Sequence, residues 1–279
     1  MLSYRHGFHA GNFADVLKHC VLVRLLHALQ RKDKPFVYID THAGAGGYDL
    51  QSPLAQQTEE FRAGILRLWR QADDSPELMA YLDLVRQFNP SGRLLYYPGS
   101  PLIAKSLCRA TDRMLFSERH PSDSLALQTL CAGDRRIQAL QEDGLACLKA
   151  KLPPRERRGL IFIDPSYELK HDYPLVVDVL CDAYARFATG IYALWYPVID
   201  RHATEHWLDK IRRTGLRRLL RIEHCPHPDR SGGGMTGSGL VLINPPWQLD
   251  EWAQRLLPQL DAQLGELGSH GQIEWLVGE

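Results

Sequence analysis

The sequence predicts an α/β domain built on a doubly wound, mostly parallel sheet, and three observations carry that expectation. From Phe36 onward, short apolar runs alternate with longer amphipathic stretches, the pattern of strands joined by crossover helices. The runs are continuous rather than alternating, as in Leu160-Ile161-Phe162-Ile163, which is how strands covered on both faces read. Several of them end on an acid or a glycine cluster, and in open α/β sheets ligands bind beyond the carboxyl ends of the strands.

Taken in order, the first element is a helix over 12–30, expected to be amphipathic and capped by Asn12. Seven strands follow, at 35–40, 113–117, 136–141, 159–164, 190–195, 218–223 and 239–244, with helices at 101–109, 122–130, 144–151, 173–187 and 202–214. The gap between the first two strands is too long for one crossover helix. It carries apolar residues at helical spacing, first Phe61, Ile65, Leu68 and Trp69, then Leu78, Tyr81, Leu82 and Val85. A helical insertion is therefore expected, ending at Leu95-Tyr96-Tyr97-Pro98-Gly99-Ser100-Pro101, where Pro101 suits a first helical turn. The expected organisation is one domain over 1–279, with an N-terminal helical motif over about 1–34 and inserted helices over about 48–96.

Length and composition narrow the class. A chain of 279 residues buries a core without disulfides or metal. Its six cysteines include no Cys-x-x-Cys pair, a reduced, intracellular pattern. Met1 to His6 lacks the apolar stretch of a signal peptide and no apolar run approaches a membrane span, so a soluble cytoplasmic protein is expected. A formal net charge of zero argues against coating nucleic acid through a global positive field. It leaves room for local arginine clusters, at Arg155, Arg157 and Arg158 and at Arg212, Arg213, Arg217, Arg218 and Arg221.

The fourth strand ends at Asp164-Pro165-Ser166-Tyr167, which resembles the Asp/Asn-Pro-Pro-Tyr motif of amino-methyltransferases, with Ser166 in place of the second proline. An exocyclic amine of adenine is a poor nucleophile because its lone pair is delocalised into the ring. Accepting hydrogen bonds from both N–H groups localises that pair, and the Asp164 carboxylate and the Pro165 carbonyl supply two acceptors. Tyr167 would stand at the pocket rim and offer a stacking face, worth roughly 1–3 kcal/mol to a base. Serine at 166 leaves these groups in place and forfeits only a φ restraint of about 0.4–1 kcal/mol. A rival, Asn244-Pro245-Pro246-Trp247, ends the last strand. Chain order favours Asp164, because such a motif follows the fourth strand.

Other strand ends support a cofactor site. After the first strand comes Asp40-Thr41-His42-Ala43-Gly44-Ala45-Gly46-Gly47, whose glycines let backbone approach a ligand but lack the hexad of a dinucleotide site. The second strand ends at Glu118, about where Rossmann-type folds bind ribose hydroxyls once spacing is counted from Ser100. The third ends at Asp143-Gly144, where Asp143 could accept from an adenine amine. Each acid alone is an ordinary strand end; Gly-x-Gly, Glu, Asp-Gly and Asp-Pro-x-Tyr in that order are the sequence of an adenosylmethionine site followed by its catalytic motif.

With these pieces in place, the chain resembles, over essentially its whole length, the bacterial large-subunit ribosomal RNA adenine-N6-methyltransferase J family. The segments that carry the resemblance are Tyr4-Arg5-His6 through Lys18-His19, 40–46, 97–101, 190–197 and Gly234-Met235-Thr236. It implies a Rossmann-like class I methyltransferase fold with seven strands and a helical insertion after the first. It also implies a monomer that methylates one adenine N6 of 23S ribosomal RNA with S-adenosyl-L-methionine. Family cofactor contacts fall on His19, His42, Ser100, Glu118, Asp143, Gly144 and Asp164, with Asp164 also the catalytic acceptor and Tyr4 an RNA contact. No metal is expected, since neither His6, His9, His19 and His42 nor His224, Cys225 and His227 form a recognised zinc spacing. The alternatives are a DNA adenine methyltransferase, with the same pocket and a different docking surface, and a non-catalytic RNA-binding assembly factor, for which Ser166 is the hint.

Overall fold

The computed structural model describes residues 4–70, 75–229 and 234–278. In chain order the elements are α1 (Phe13–Gln30), β1 (Val37–Asp40), β2 (Gly47–Asp49), α2 (Pro53–Thr58), α3 (Ile65–Arg70), α4 (Pro76–Gln87), β3 (Tyr96–Pro98), α5 (Ser100–Leu107), β4 (Arg113–Glu118), α6 (Pro121–Cys131) and β5 (Ile137–Gln141). They continue with α7 (Gly144–Lys151), β6 (Gly159–Ile163), α8 (Asp172–Arg186), β7 (Ile191–Val198), α9 (Arg201–Arg212), β8 (Leu219–Cys225), β9 (Gly237–Ile243), α10 (Leu249–Leu264) and β10 (His270–Val277).

Eight strands form the main sheet in the order β10-β8-β9-β7-β6-β1-β4-β5. From β7 through β5 all neighbours are parallel, while β7–β9, β9–β8 and β8–β10 are antiparallel. Strand β1 sits at the centre, with β4 on one side and β6 on the other, and chain order reverses there. That reversal opens a crevice beyond the carboxyl ends of β1 and β6. Two apolar layers flank the sheet, one holding α1 and α10, the other α7, α8 and α9.

The doubly wound α/β class holds, with corrections at the C-terminal end. The sheet has eight strands rather than seven, because β10 pairs antiparallel with β8 as an edge strand. Its sequence, His270-Gly271-Gln272-Ile273-Glu274, is polar on the exposed side and gave no apolar run. Helix α10 was also not anticipated; it carries Pro258 inside it, yet buries Leu249, Trp252, Leu256, Leu257, Leu260 and Leu264 on one face.

Helix α1 departs from the amphipathic expectation. Thirteen of its eighteen residues are buried, because it lies against β6 and β9 on one side and under α4 and α5 on the other; a helix apolar all round belongs inside. Asn12 does cap it, its side chain accepting from the Asp15 N–H at 2.9 Å. Helices α2, α3 and α4 lie between β2 and β3, which pair as a two-stranded antiparallel ribbon that brings Tyr48 opposite Tyr97. Among the described residues no helix is long and apolar enough to cross a membrane.

Candidate active site

A cavity of about 260 Å³ opens at the reversal point, floored by the loops that follow β1, β4, β5 and β6 and walled by α1 and the N-terminal arm. Of the residues singled out from sequence, Tyr4, His19, His42, Ser100, Glu118, Asp143, Gly144, Asp164 and Pro165 all line it, and so does Ser166. Tyr167 does not.

The loop after β1 turns at Gly44, whose φ of +60° is a left-handed conformation that glycine adopts without strain. Its amide donates to Glu118 Oε2 at 2.8 Å, while Glu118 Oε1 accepts from the His120 amide at 2.6 Å. Glu118 therefore fixes the loop and still offers further lone pairs to the cavity; burial pushes its carboxyl up. Asp143 caps α7, with Oδ1 accepting from the Leu145 and Ala146 amides at 3.1 Å, while Oδ2 lies 3.7 Å from the guanidinium of Arg119, which lines the same cavity. Gly144 packs α7 against the β1 loop: a Cβ there would lie 2.1 Å from the Thr41 carbonyl. Ser100 donates to Asp40 Oδ2 at 2.7 Å, and burial, with the more distant charge of Asp164, pushes the Asp40 carboxyl to about 6.

Asp164 does not stand alone at its strand end. Lys18 Nζ lies 2.6 Å from Asp164 Oδ2 and 2.8 Å from Asp15 Oδ1, with the Trp195 ring centroid 5.5 Å away. Asp15 Oδ2 in turn meets His6 Nε2 at 2.9 Å and accepts from the Gly11 amide at 2.8 Å, and His6 Nδ1 meets the Tyr4 hydroxyl at 2.9 Å. Burial would lower Lys18, but Asp15 and Asp164 outweigh it and hold the ammonium well above its usual range. For Asp15, burial would raise the carboxyl, yet His6 and Lys18 hold it well below. Sequence reasoning missed Lys18 and Asp15; the available signal was a charged pair at i,i+3 inside a helix that is otherwise apolar.

Tyr167 is a correction to the rim expectation. It is 7% exposed, its ring centroid is 4.5 Å from that of Tyr173 and about as far from Trp195 as from Trp207 at 6.1 and 6.2 Å. Its hydroxyl donates to the Trp195 carbonyl at 2.8 Å. With φ at +52°, unusual for a bulky residue, the backbone turns the ring into the core beneath the loop. Tyr4, half-buried, is the tyrosine of the N-terminal arm that faces the cavity.

The histidines weighed as metal ligands are separately engaged: His6 by Asp15, His9 by Glu60, His19 by Tyr97 and His42 by Thr41. Among the described residues Glu223, Cys225 and His270 come within metal-binding range of one another, but the Arg201 guanidinium donates to Glu223 at 2.7 Å and reaches Cys225 and His270 at 3.1 and 3.2 Å.

Two predictions arise here. Glu118→Ala should weaken binding of an adenosyl ligand by about 1.5–3 kcal/mol, the worth of charge-assisted hydrogen bonds, and lower the melting temperature because the β1 loop loses its anchor. Calorimetry showing unchanged affinity would remove Glu118 from the site. The second concerns acid. Burial lowers His19 to about 3, His224 to about 4 and His42 by a smaller step, against 6.5 for a free histidine. Below about 6.5 the unfolded chain takes up protons that these folded groups refuse, so stability falls with pH. Asp40 and Glu118, and His9 hydrogen-bonded to Glu60, are raised in the folded state and act in the opposite sense. The lowered histidines, which also include His27, outnumber them, so thermal melts should show a declining melting temperature from about pH 6.5 towards 4, with a shallower slope in His224→Gln.

The chain is similar to known proteins over essentially its whole length. The family model described as Ribosomal RNA large subunit methyltransferase D, RlmJ, matches residues 33–277. The chain is 50% identical to Ribosomal RNA large subunit methyltransferase J of Escherichia coli (strain K12), over 280 residues covering 100% of both chains. It is 46% identical to the protein of the same name from Haemophilus influenzae, again over 100% of both. A crystal structure of a protein from Legionella pneumophila superposes with a TM-score of 0.89 at 41% identity, covering 96% of this chain and 98% of that one.

Proposed function

The chain belongs to the ribosomal RNA large subunit methyltransferase family of that model, an enzyme family that uses a methyl donor, and on that premise we propose that it methylates the N6 amine of one adenine in 23S ribosomal RNA from S-adenosylmethionine. The observation that carries the reading is the placement of Asp164 and Pro165 at the reversal point of the sheet, in one cavity with Glu118 and Asp143. Those two carboxylates suit the ribose hydroxyls and adenine amine of the donor, and Gly44 lines the same cavity.

S-adenosylmethionine, when bound, supplies an electrophilic methyl group on a sulfonium. The residues of this chain do the rest. Asp164 has one oxygen held by Lys18, which orients the carboxylate so that the second oxygen accepts from the target amine while the Pro165 carbonyl accepts the other N–H. An aromatic amine is not deprotonated by a carboxylate of ordinary basicity. Asp164 therefore orients and polarises it during in-line transfer and takes the proton afterwards, when the methylated nitrogen has become strongly acidic. The target base leaves its stack to arrive, at a cost of a few kcal/mol that is least where it is unpaired. With the Tyr167 ring turned into the core, Tyr4, which lines the cavity beside Tyr48 and His6, offers a ring to the incoming base.

The test is mass spectrometry of ribosomal RNA from cells with and without the gene, with total DNA digested in parallel. One N6-methyladenine should disappear from 23S RNA. An unchanged RNA methylation pattern, or a loss confined to DNA, overturns the proposal.

A further inference from the structure

Behind the cavity, away from Asp164, lies a line of three polar groups that the methyl-transfer chemistry does not use. The His19 ring lines the cavity from α1 and is 1% exposed. Its Nδ1 lies 2.7 Å from the hydroxyl of Tyr97 on β3, and that hydroxyl lies 2.9 Å from the hydroxyl of Tyr81 on α4. Tyr97 and Tyr81 are 0% and 1% exposed and do not line the cavity. They sit in the apolar layer where α4 covers α1. Buried hydroxyls are kept in such a layer only when hydrogen-bonded, and here they bond to each other and to His19.

Counting protons gives the line a direction. If His19 Nδ1–H donated to Tyr97 and Tyr97 to Tyr81, the Tyr81 proton would be left without an acceptor, since Tyr97 is the partner of Tyr81 among the described residues. In the opposite direction every proton has one: Tyr81 donates to Tyr97, Tyr97 donates to His19 Nδ1, and the single imidazole proton goes to Nε2, the nitrogen left for the cavity. Burial holds the ring neutral, with its pKa lowered to about 3, so one tautomer is defined across the working pH range.

We propose that the helices between β2 and β3 serve the cofactor site, with Tyr97 and Tyr81 acting as positioning residues that lock His19 as an Nε2–H donor towards the carboxylate of the donor's amino-acid end. This rests on the reading of the cavity given above. If Glu118 and Asp143 take the adenosyl half, the amino-acid half extends towards β1 and α1, where His19 and Ser100 line the wall. A carboxylate there meets a hydrogen-bond donor in one tautomer and a repelling lone pair in the other.

The test uses the full-length protein labelled with 15N-histidine, S-adenosylmethionine as ligand, and nitrogen NMR beside calorimetry, with the His19 signal assigned by its loss in His19→Gln. The wild type should show the Nε2–H tautomer, and Tyr97→Phe, which keeps the ring and its packing, should show a mixture. Affinity for S-adenosylmethionine should fall about three- to tenfold in Tyr97→Phe, the size of one net hydrogen bond, and less in Tyr81→Phe, with kcat at saturating donor unchanged. In a His19→Gln background Tyr97→Phe should cost nothing further. An Nδ1–H tautomer in the wild type, or undiminished affinity in Tyr97→Phe, overturns the inference. Failure of the wild type to bind S-adenosylmethionine at all overturns instead the cavity reading on which it rests.

Discussion

Asp164→Ala is expected to lower turnover by about 10²–10³-fold, the usual consequence of removing one polar group that stabilises the reacting centre, while affinity for the methyl donor changes little. The side chain is 14% exposed at the cavity wall, so its loss opens no hole in the core. The melting temperature should drop by a few degrees only, because Lys18 keeps Asp15 as partner. Single-turnover methylation of an RNA fragment, set beside a thermal melt, separates the two effects, and full activity in the variant would sink the assignment. Asn244→Ala is the comparison at the other signature. Asn244 sits in a left-handed turn, donating to the Ala188 and Gly190 carbonyls at 2.8 Å. It should lose stability and keep turnover.

Lys18→Met should be the more damaging change overall. Breaking a buried ion pair by removing one partner costs about 3–5 kcal/mol because an uncompensated charge remains, and here Asp15 and Asp164 would both lose their shared cation. For a domain above 150 residues that corresponds to roughly 6–20 °C in melting temperature. With Asp164 as the proposed acceptor, turnover should fall as well, because its carboxylate loses the contact that holds its orientation. A lowered melting temperature with unchanged turnover would mean that Lys18 stabilises α1 without positioning Asp164.

What was legible in the sequence follows the range of the interactions. That Glu118, Asp143 and Asp164 line one cavity was legible because each closes or follows a strand, and a strand end is a local pattern of apolar residues followed by an acid. The meeting of Lys18 with Asp164 spans 146 residues and leaves no local mark beyond a charge in an apolar helix. Tyr167 was misplaced because a left-handed residue reverses a ring's direction, and nothing in Asp-Pro-Ser-Tyr announces that φ. Strand β10 and helix α10 were missed for the opposite reason. Their buried positions are interleaved with glutamine, glutamate and proline, so the periodicity is diluted until β8 is there to pair with. Asn244-Pro245-Pro246-Trp247 looked like a second motif because sequence does not show direction. Strand β9 runs antiparallel to β7, which delivers that turn to the far edge of the sheet with Trp247 80% exposed.

Helix α1, enclosed between the sheet and α4, is made long before the surfaces that enclose it. It leaves the ribosome with an apolar circumference, while its seat includes β6 and β9, the last of which ends at Ile243. At about 5–20 residues per second of synthesis, roughly 10–40 s separate the helix from its completed seat. During that interval the nascent chain carries a greasy helix in search of a partner, so the protein's yield in the cell depends on translation speed and on whatever shields that segment, quite apart from the stability of the finished fold.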